Sequence, residues 1–178
     1  MNEQTQLIVY ACPTGSLSER IEEYYARTER DFGRNKAHDY MPHITLTGFF
    51  RDDAAAIPRY VPALERAVFD LPSEPVVVTI TGMLLLPDFI GLTIEAEDLR
   101  ERIAGFSRLA VSPTRTEAIR LKDNLHVSLA YGFPETQFDA LSGLATAMVD
   151  PTQPVAWDLR FYERRPGNEW LCHYSRPL

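Results

Sequence analysis

The chain has 178 residues, 45% of them hydrophobic and 24% charged, with a formal net charge of −7. That composition is one of a soluble globular protein, long enough for a single domain with a sizeable core. It excludes a helical membrane span, because no apolar run approaches the ~20 residues that one needs. It also weighs against a protein that tracks long RNA, which usually presents a dense basic patch to neutralise phosphates. Met1 to Gln6 lacks the basic flank and apolar stretch of a secretory signal. Cys12 and Cys172 are the only cysteines, too few for a disulfide framework and too isolated for a zinc site. Both stand in apolar or aromatic runs, so buried thiols and a reducing cytoplasm are expected.

In chain order, Leu7 to Cys12 reads as a buried strand stopped by Pro13. Ser16 and Glu19 have the spacing of a capping box. Leu17, Ile21, Tyr24, Tyr25, Thr28 and Phe32 follow helical spacing, with Gly33 as a stop. A polar loop from Arg34 to Pro42 leads into a strand from His43 to Phe50. A helix over Pro58 to Phe69 and a β-branched strand over Val76 to Leu86 follow. After the turn at Pro87-Asp88 comes a strand over Phe89 to Glu95, then a helix over Asp98 to Leu109. A loop over Ala110 to Asn124 precedes a strand over His126 to Tyr131, and a helix spans Pro134 to Val149. The chain closes with a hairpin, Val155 to Glu163 and Glu169 to Ser175, around the turn Arg165-Pro166-Gly167-Asn168.

This order repeats. Ile8 precedes His43 by 35 residues, and Gly91 precedes His126 by 35. Each half reads strand, helix, loop, strand, helix, strand. With no flexible linker between the halves, residues 1–178 are expected to form one bilobal α+β domain.

The strands at the centre of each half share a pattern: His43-Ile44-Thr45-Leu46 and His126-Val127-Ser128-Leu129. Alternation along a strand puts His43 and Thr45 on one face and Ile44 and Leu46 on the other, and likewise in the second copy. A lone His in a strand is more often structural than catalytic. Two copies in a chain with four histidines point instead to two imidazoles and two hydroxyls facing one cleft. Opening a cyclic phosphate with water needs a base for the water and an acid for the departing alkoxide, and paired histidines supply both. Hydroxyls of Thr45 and Ser128 can donate to the non-bridging phosphate oxygens. Carboxylates do not accompany the histidines at metal-ligand spacing, so no cofactor is expected. His38 and His173 lack a hydroxyl two residues on and are read as structural. Arg115, Arg120 and Lys122, and Arg160, Arg164 and Arg165, form two loose basic clusters, each able to serve one or two phosphates.

The paired tetrapeptides resemble the signature of the 2H phosphoesterase superfamily. Tyr40-Met41-Pro42-His43-Ile44-Thr45-Leu46 and Leu125-His126-Val127-Ser128-Leu129-Ala130-Tyr131-Gly132 are similar to the motifs of its plant and fungal cyclic phosphodiesterase branch. The resemblance implies two pseudo-twofold-related lobes of antiparallel strands with helices outside and a central groove. It implies His43 and His126 as catalytic residues, Thr45 and Ser128 as phosphate-binding, and a small nucleotide-type cyclic phosphate as substrate, either a 2′,3′-cyclic nucleotide or ADP-ribose 1″,2″-cyclic phosphate. Tyr131 matches the family's aromatic substrate contact, although five residues along a regular strand place it on the face opposite His126. Phe49 and Phe50 follow the first motif and are candidates to stack on a base, with Phe50 carried as a substrate-binding residue; core packing is the competing reading for both. Two rival readings keep the same site: an RNA-end enzyme of the 2′-5′ RNA ligase-like kind, and a nucleotide-binding module without turnover. Neither membrane association nor a particular oligomeric state is implied.

Overall fold

Pairing in the computed structural model, which describes residues 4–70 and 75–178, is organised around its first strand. In β1 (Gln4–Thr14), Leu7, Val9 and Ala11 enter the main core, while Ile8, Tyr10 and Cys12 pack in a smaller cluster on the other face. Both faces of this strand are covered, which explains its near-continuous apolar run. Next come α1 (Ser16–Phe32), β2 (Ile44–Thr45), β3 (Phe50–Asp53), α2 (Ile57–Val68) and β4 (Thr79–Leu86). The second half supplies β5 (Phe89–Glu95), α3 (Glu97–Leu109), β6 (His126–Tyr131), α4 (Phe138–Met148), β7 (Ala156–Arg165) and β8 (Glu169–Pro177). All eight strands join one antiparallel sheet in the order β4-β5-β6-β2-β1-β7-β8, with β3 pairing β1 beside β2. Residues 1–3, on which part of the reading of the N-terminus fell, lie outside the described residues, as do 71–74.

The sheet corrects the simple picture of one lobe per half. β4, from the first half, pairs with β5 of the second, and β7, from the second, pairs with β1 of the first. Helices cross over too, α1 against α4 and α2 against α3. Each half therefore lends its last strand to the other. β2 and β6 meet at the centre, with Ile44 opposite Val127.

Several local expectations also change. The long strand expected from His43 to Phe50 is broken into β2 and β3, because Thr47 interrupts the ladder. Its Oγ1 accepts from the Val9 amide at 3.1 Å, and Gly48 turns away to donate to the Arg120 carbonyl at 2.7 Å. The Ser16–Glu19 capping box does not form: Gly15, at φ 70°, holds the N-cap position, and the Ser16 hydroxyl donates to Gln153 Oε1. A capping box occurs instead at Asn35 and His38, just before the first motif. Cys12 is buried as expected, but Cys172 is exposed because β8 is the edge strand.

Candidate active site

Adjacency of β2 and β6 brings the two motifs together. With Ile44 opposite Val127 in antiparallel register, His43 continues toward Ser128 and Thr45 toward His126. Directly opposed residues have Cβ atoms about 5 Å apart and diagonal ones about 7–8 Å. The two imidazoles therefore take one diagonal and the two hydroxyls the other, all on the sheet face away from the main core. Ile44, Leu46, Val127 and Leu129 are all buried in the core beneath. A cavity of about 380 Å³ opens over the four polar residues, walled by Tyr10, Tyr25, Tyr40, Phe49, Phe89, Lys122 and Tyr131 among others.

Both imidazoles are oriented in the same way. His43 Nδ1 lies 2.7 Å from the Met41 carbonyl and His126 Nδ1 lies 3.1 Å from the Asn124 carbonyl. A carbonyl only accepts, so each Nδ1 carries the proton and each Nε2 is the nitrogen left for chemistry. His43 Nε2 accepts from the Thr45 hydroxyl at 3.1 Å. Burial pushes the His43 pKa down to about 4, with the nearby His126 charge acting in the same direction and the Met41 carbonyl opposing both. His126 is also lowered, by burial first and by Lys122, against its Asn124 bond. Both are thus biased toward the neutral form until an anion enters.

Tyr131 lines the cavity, despite the parity argument. The ladder pairs Gly91 with Ser128 and Ile90 with Ala130, so Leu129 is an extra residue in a β-bulge. Leu129 and Ala130 are consequently both buried, and Tyr131 returns to the face of His126 and Ser128. Phe50 is a correction. It is 1% exposed, lies in the core beside Tyr60 and Phe161, and cannot reach a ligand. The break at Thr47 leaves its neighbour Phe49 on the cavity wall instead. His38 and His173 stand apart, bonded to Asn35 and Thr28, and to Glu163, respectively.

Tyr10, Tyr25 and Phe89 had no local signal as site residues. The Tyr10 ring packs on His43 at 3.9 Å between centroids, and Phe89 meets His126 edge-on at 5.1 Å. The Tyr25 hydroxyl donates to the Ser128 carbonyl at 2.6 Å and so ties α1 to the second motif. Gly91 makes the Phe89 position available: a Cβ there would stand 2.6 Å from the Phe89 ring and 2.5 Å from the Val127 carbonyl oxygen.

The chain therefore carries, on two central strands of one antiparallel sheet, a pair of His-apolar-hydroxyl-apolar tetrapeptides that face one groove. It superposes on E. coli LigT, solved in complex with 3′-AMP, with a TM-score of 0.60 over 99% of both chains at 15% identity. In sequence it is 30% identical to the ecdysteroid-phosphate phosphatase of Drosophila melanogaster over 90% of its own length. It is also 30% identical to the human ubiquitin-associated and SH3 domain-containing protein B over 79%. The chain spans only 26% and 22% of those two relatives. No family model matches it.

Proposed function

We propose that the protein is a metal-independent phosphoesterase that opens a small nucleotide-type cyclic phosphate to a phosphomonoester. The observation that supports this best is the common orientation of the two imidazoles, each with Nδ1 held by a carbonyl, which leaves Nε2 for chemistry at one cavity. In this reading His43, the more strongly depressed of the two, is neutral and takes a proton from water through Nε2. The water oxygen attacks phosphorus, and the bond from phosphorus to one ribose oxygen breaks. His126, protonated as the substrate anion binds, gives the Nε2 proton to that oxygen, so charge and protons balance. Diagonal placement suits this step, since base and acid must stand on opposite sides of the phosphorus. Thr45 releases His43 Nε2 and, with Ser128, donates to the non-bridging oxygens as their charge grows. Tyr131 and Phe49 offer faces for a base.

The test is a panel of four 2′,3′-cyclic nucleotides plus ADP-ribose 1″,2″-cyclic phosphate, assayed with excess chelator and read by phosphomonoester formation. Turnover of one or more is expected, with chelator making no difference. Binding with no product would instead favour the nucleotide-binding module. Recovery by a divalent ion after chelation would overturn the metal-free route. Activity confined to oligonucleotides would favour the RNA-end enzyme.

A further inference from the structure

The groove does not end at the histidines. Along β1 the residues on its face are Tyr10, Ile8 and then Gln6, which is flanked across both ladders by Arg51 on β3 and Arg164 on β7. Directly opposed residues point to the same side of a sheet, so two arginines and a carboxamide share the groove face beyond Ile8. They line a second hollow of about 620 Å³ together with Gln4, Glu163 and Arg165. Phe49 and Ile8, on the wall of the first cavity, lie between the two.

These arginines differ from most others in the chain. Arg164 has no carboxylate partner among the described residues. Its guanidinium is held over the rings of Tyr40, Phe49 and Trp170 at 5.4, 5.7 and 5.4 Å, and Nε donates to Asn168 Oδ1 at 3.0 Å. The Tyr40 ring is within 5.5 Å of both that guanidinium and the His43 ring, so the cation stands within about 11 Å of the catalytic imidazole, on a rigid aromatic platform. Its charge reaches the cleft, where it favours ionised Tyr10 and Tyr131 against their burial. The Arg51 side chain is exposed and makes no hydrogen bond or ion pair among the described residues. Glu163, the acid in this hollow, is already engaged by Arg165 at 3.2 Å and His173 at 2.8 Å. A pre-positioned, uncompensated cation beside a phosphoester cleft is an anion site, because ordering the side chain no longer opposes binding.

We infer that Arg164 and Arg51, with Gln6 between them, form a subsite for a second phosphate of the substrate, carried on the 5′ side of the nucleoside whose cyclic phosphate meets His43 and His126. The inference rests on the reading proposed above and narrows it. The preferred substrate is then a cyclic nucleotide that bears a 5′-phosphate, as a diphosphate or phosphodiester linkage, rather than a bare nucleoside cyclic phosphate.

Calorimetric binding of adenosine 3′,5′-bisphosphate and of 3′-AMP separates the two ideas, because it needs no turnover. Wild type should bind the bisphosphate at least about tenfold more tightly, the worth of a good charge-assisted contact. Arg164→Gln and Arg51→Gln should each bring the two affinities within about threefold of one another. Arg164→Lys should restore part of the preference, and Arg59→Gln, exposed on α2, should leave it intact. Arg51→Gln guards against misfolding of the caged Arg164 variants, since the Arg51 side chain makes no hydrogen bond or ion pair among the described residues. Equal wild-type affinities, or a preference that survives in both Gln variants, would overturn the subsite. A protein that shows the preference but opens no cyclic phosphate would sink the proposed activity and leave the subsite standing. Ring opening with equal affinities would do the reverse, and binding of neither ligand would overturn the subsite and the nucleotide reading together.

Discussion

The two motif strands are near copies in sequence and unlike in their surroundings. β2 has two residues and β6 has six. Counting along the chain matches Ile8 with Gly91, but the ladders match Tyr10, opposite Thr45, with Gly91, opposite Ser128. Beside the first motif is thus a tyrosine ring packed at a tilt on His43; beside the second is a glycine, with Phe89 folded over it against His126. Thr45 is bonded to its own histidine, whereas the Ser128 hydroxyl makes no hydrogen bond among the described residues. A duplicated pattern has been given two microenvironments, and those lower the pKa of two identical side chains from different surroundings. That is how a chemically symmetric pair can divide into base and acid.

The sharpest way to break this comparison is to remove each histidine separately. His43→Ala and His126→Ala should each lower kcat/KM roughly 10²–10⁴-fold, the usual worth of a positioned base or acid. In wild type the base must be deprotonated and the acid protonated, so the profile should be a bell lying mostly below pH 6.5, with its acid limb near 4. His43→Ala should lose the acid limb and His126→Ala the alkaline one; the opposite assignment would mean that the roles are exchanged.

Thr45→Ala and Ser128→Ala should each cost on the order of 10²-fold in kcat if their hydroxyls serve the transition state. Thr45→Ala should also move the acid limb, because its hydroxyl donates to neutral His43; Ser128→Ala should not. Matching pH profiles for the two variants would erase the difference drawn above.

Stability gives an independent reading of the same asymmetry. The His43 pKa is depressed in the folded protein, so between about pH 6.5 and 4 the unfolded chain binds more protons. Stability is therefore lost as pH falls through that window, by up to about 3 kcal/mol from this group. His43→Gln should flatten the fall in denaturant midpoint between pH 7 and 4, and His126→Gln should flatten it less. The smallest effect belongs to Gly91→Ala, at about 1–3 kcal/mol of overpacking, with a loss of activity as Phe89 is displaced from His126. A variant as stable and active as wild type would show that Phe89 has somewhere else to go.

Much of this was legible in the chain. Strand alternation placed His43, Thr45, His126 and Ser128 on one face, and β5 and β6 fall where periodicity put them. The misses share a cause: a non-local partner overrode the local period. Thr47 takes the Val9 amide and swaps the fates of Phe49 and Phe50; the bulge at Leu129 turns Tyr131 round; an edge position exposes Cys172. The packing of Tyr10 on His43 and the exchange of β4 and β7 between halves depend on which strands become neighbours. No window of adjacent residues carries that information.

The exchanged strands also set the order in which the molecule can be built. Thr5 on β1 hydrogen-bonds Glu163 on β7 across 158 residues of sequence, so the strand that underlies the first motif waits for a partner made long after it. Contacts this distant in sequence slow folding, because the loop must close before they reward it. During synthesis, β1 and the Tyr10 face that positions His43 stay half-paired until β7 arrives. The groove is completed only then, long after its first strand is made.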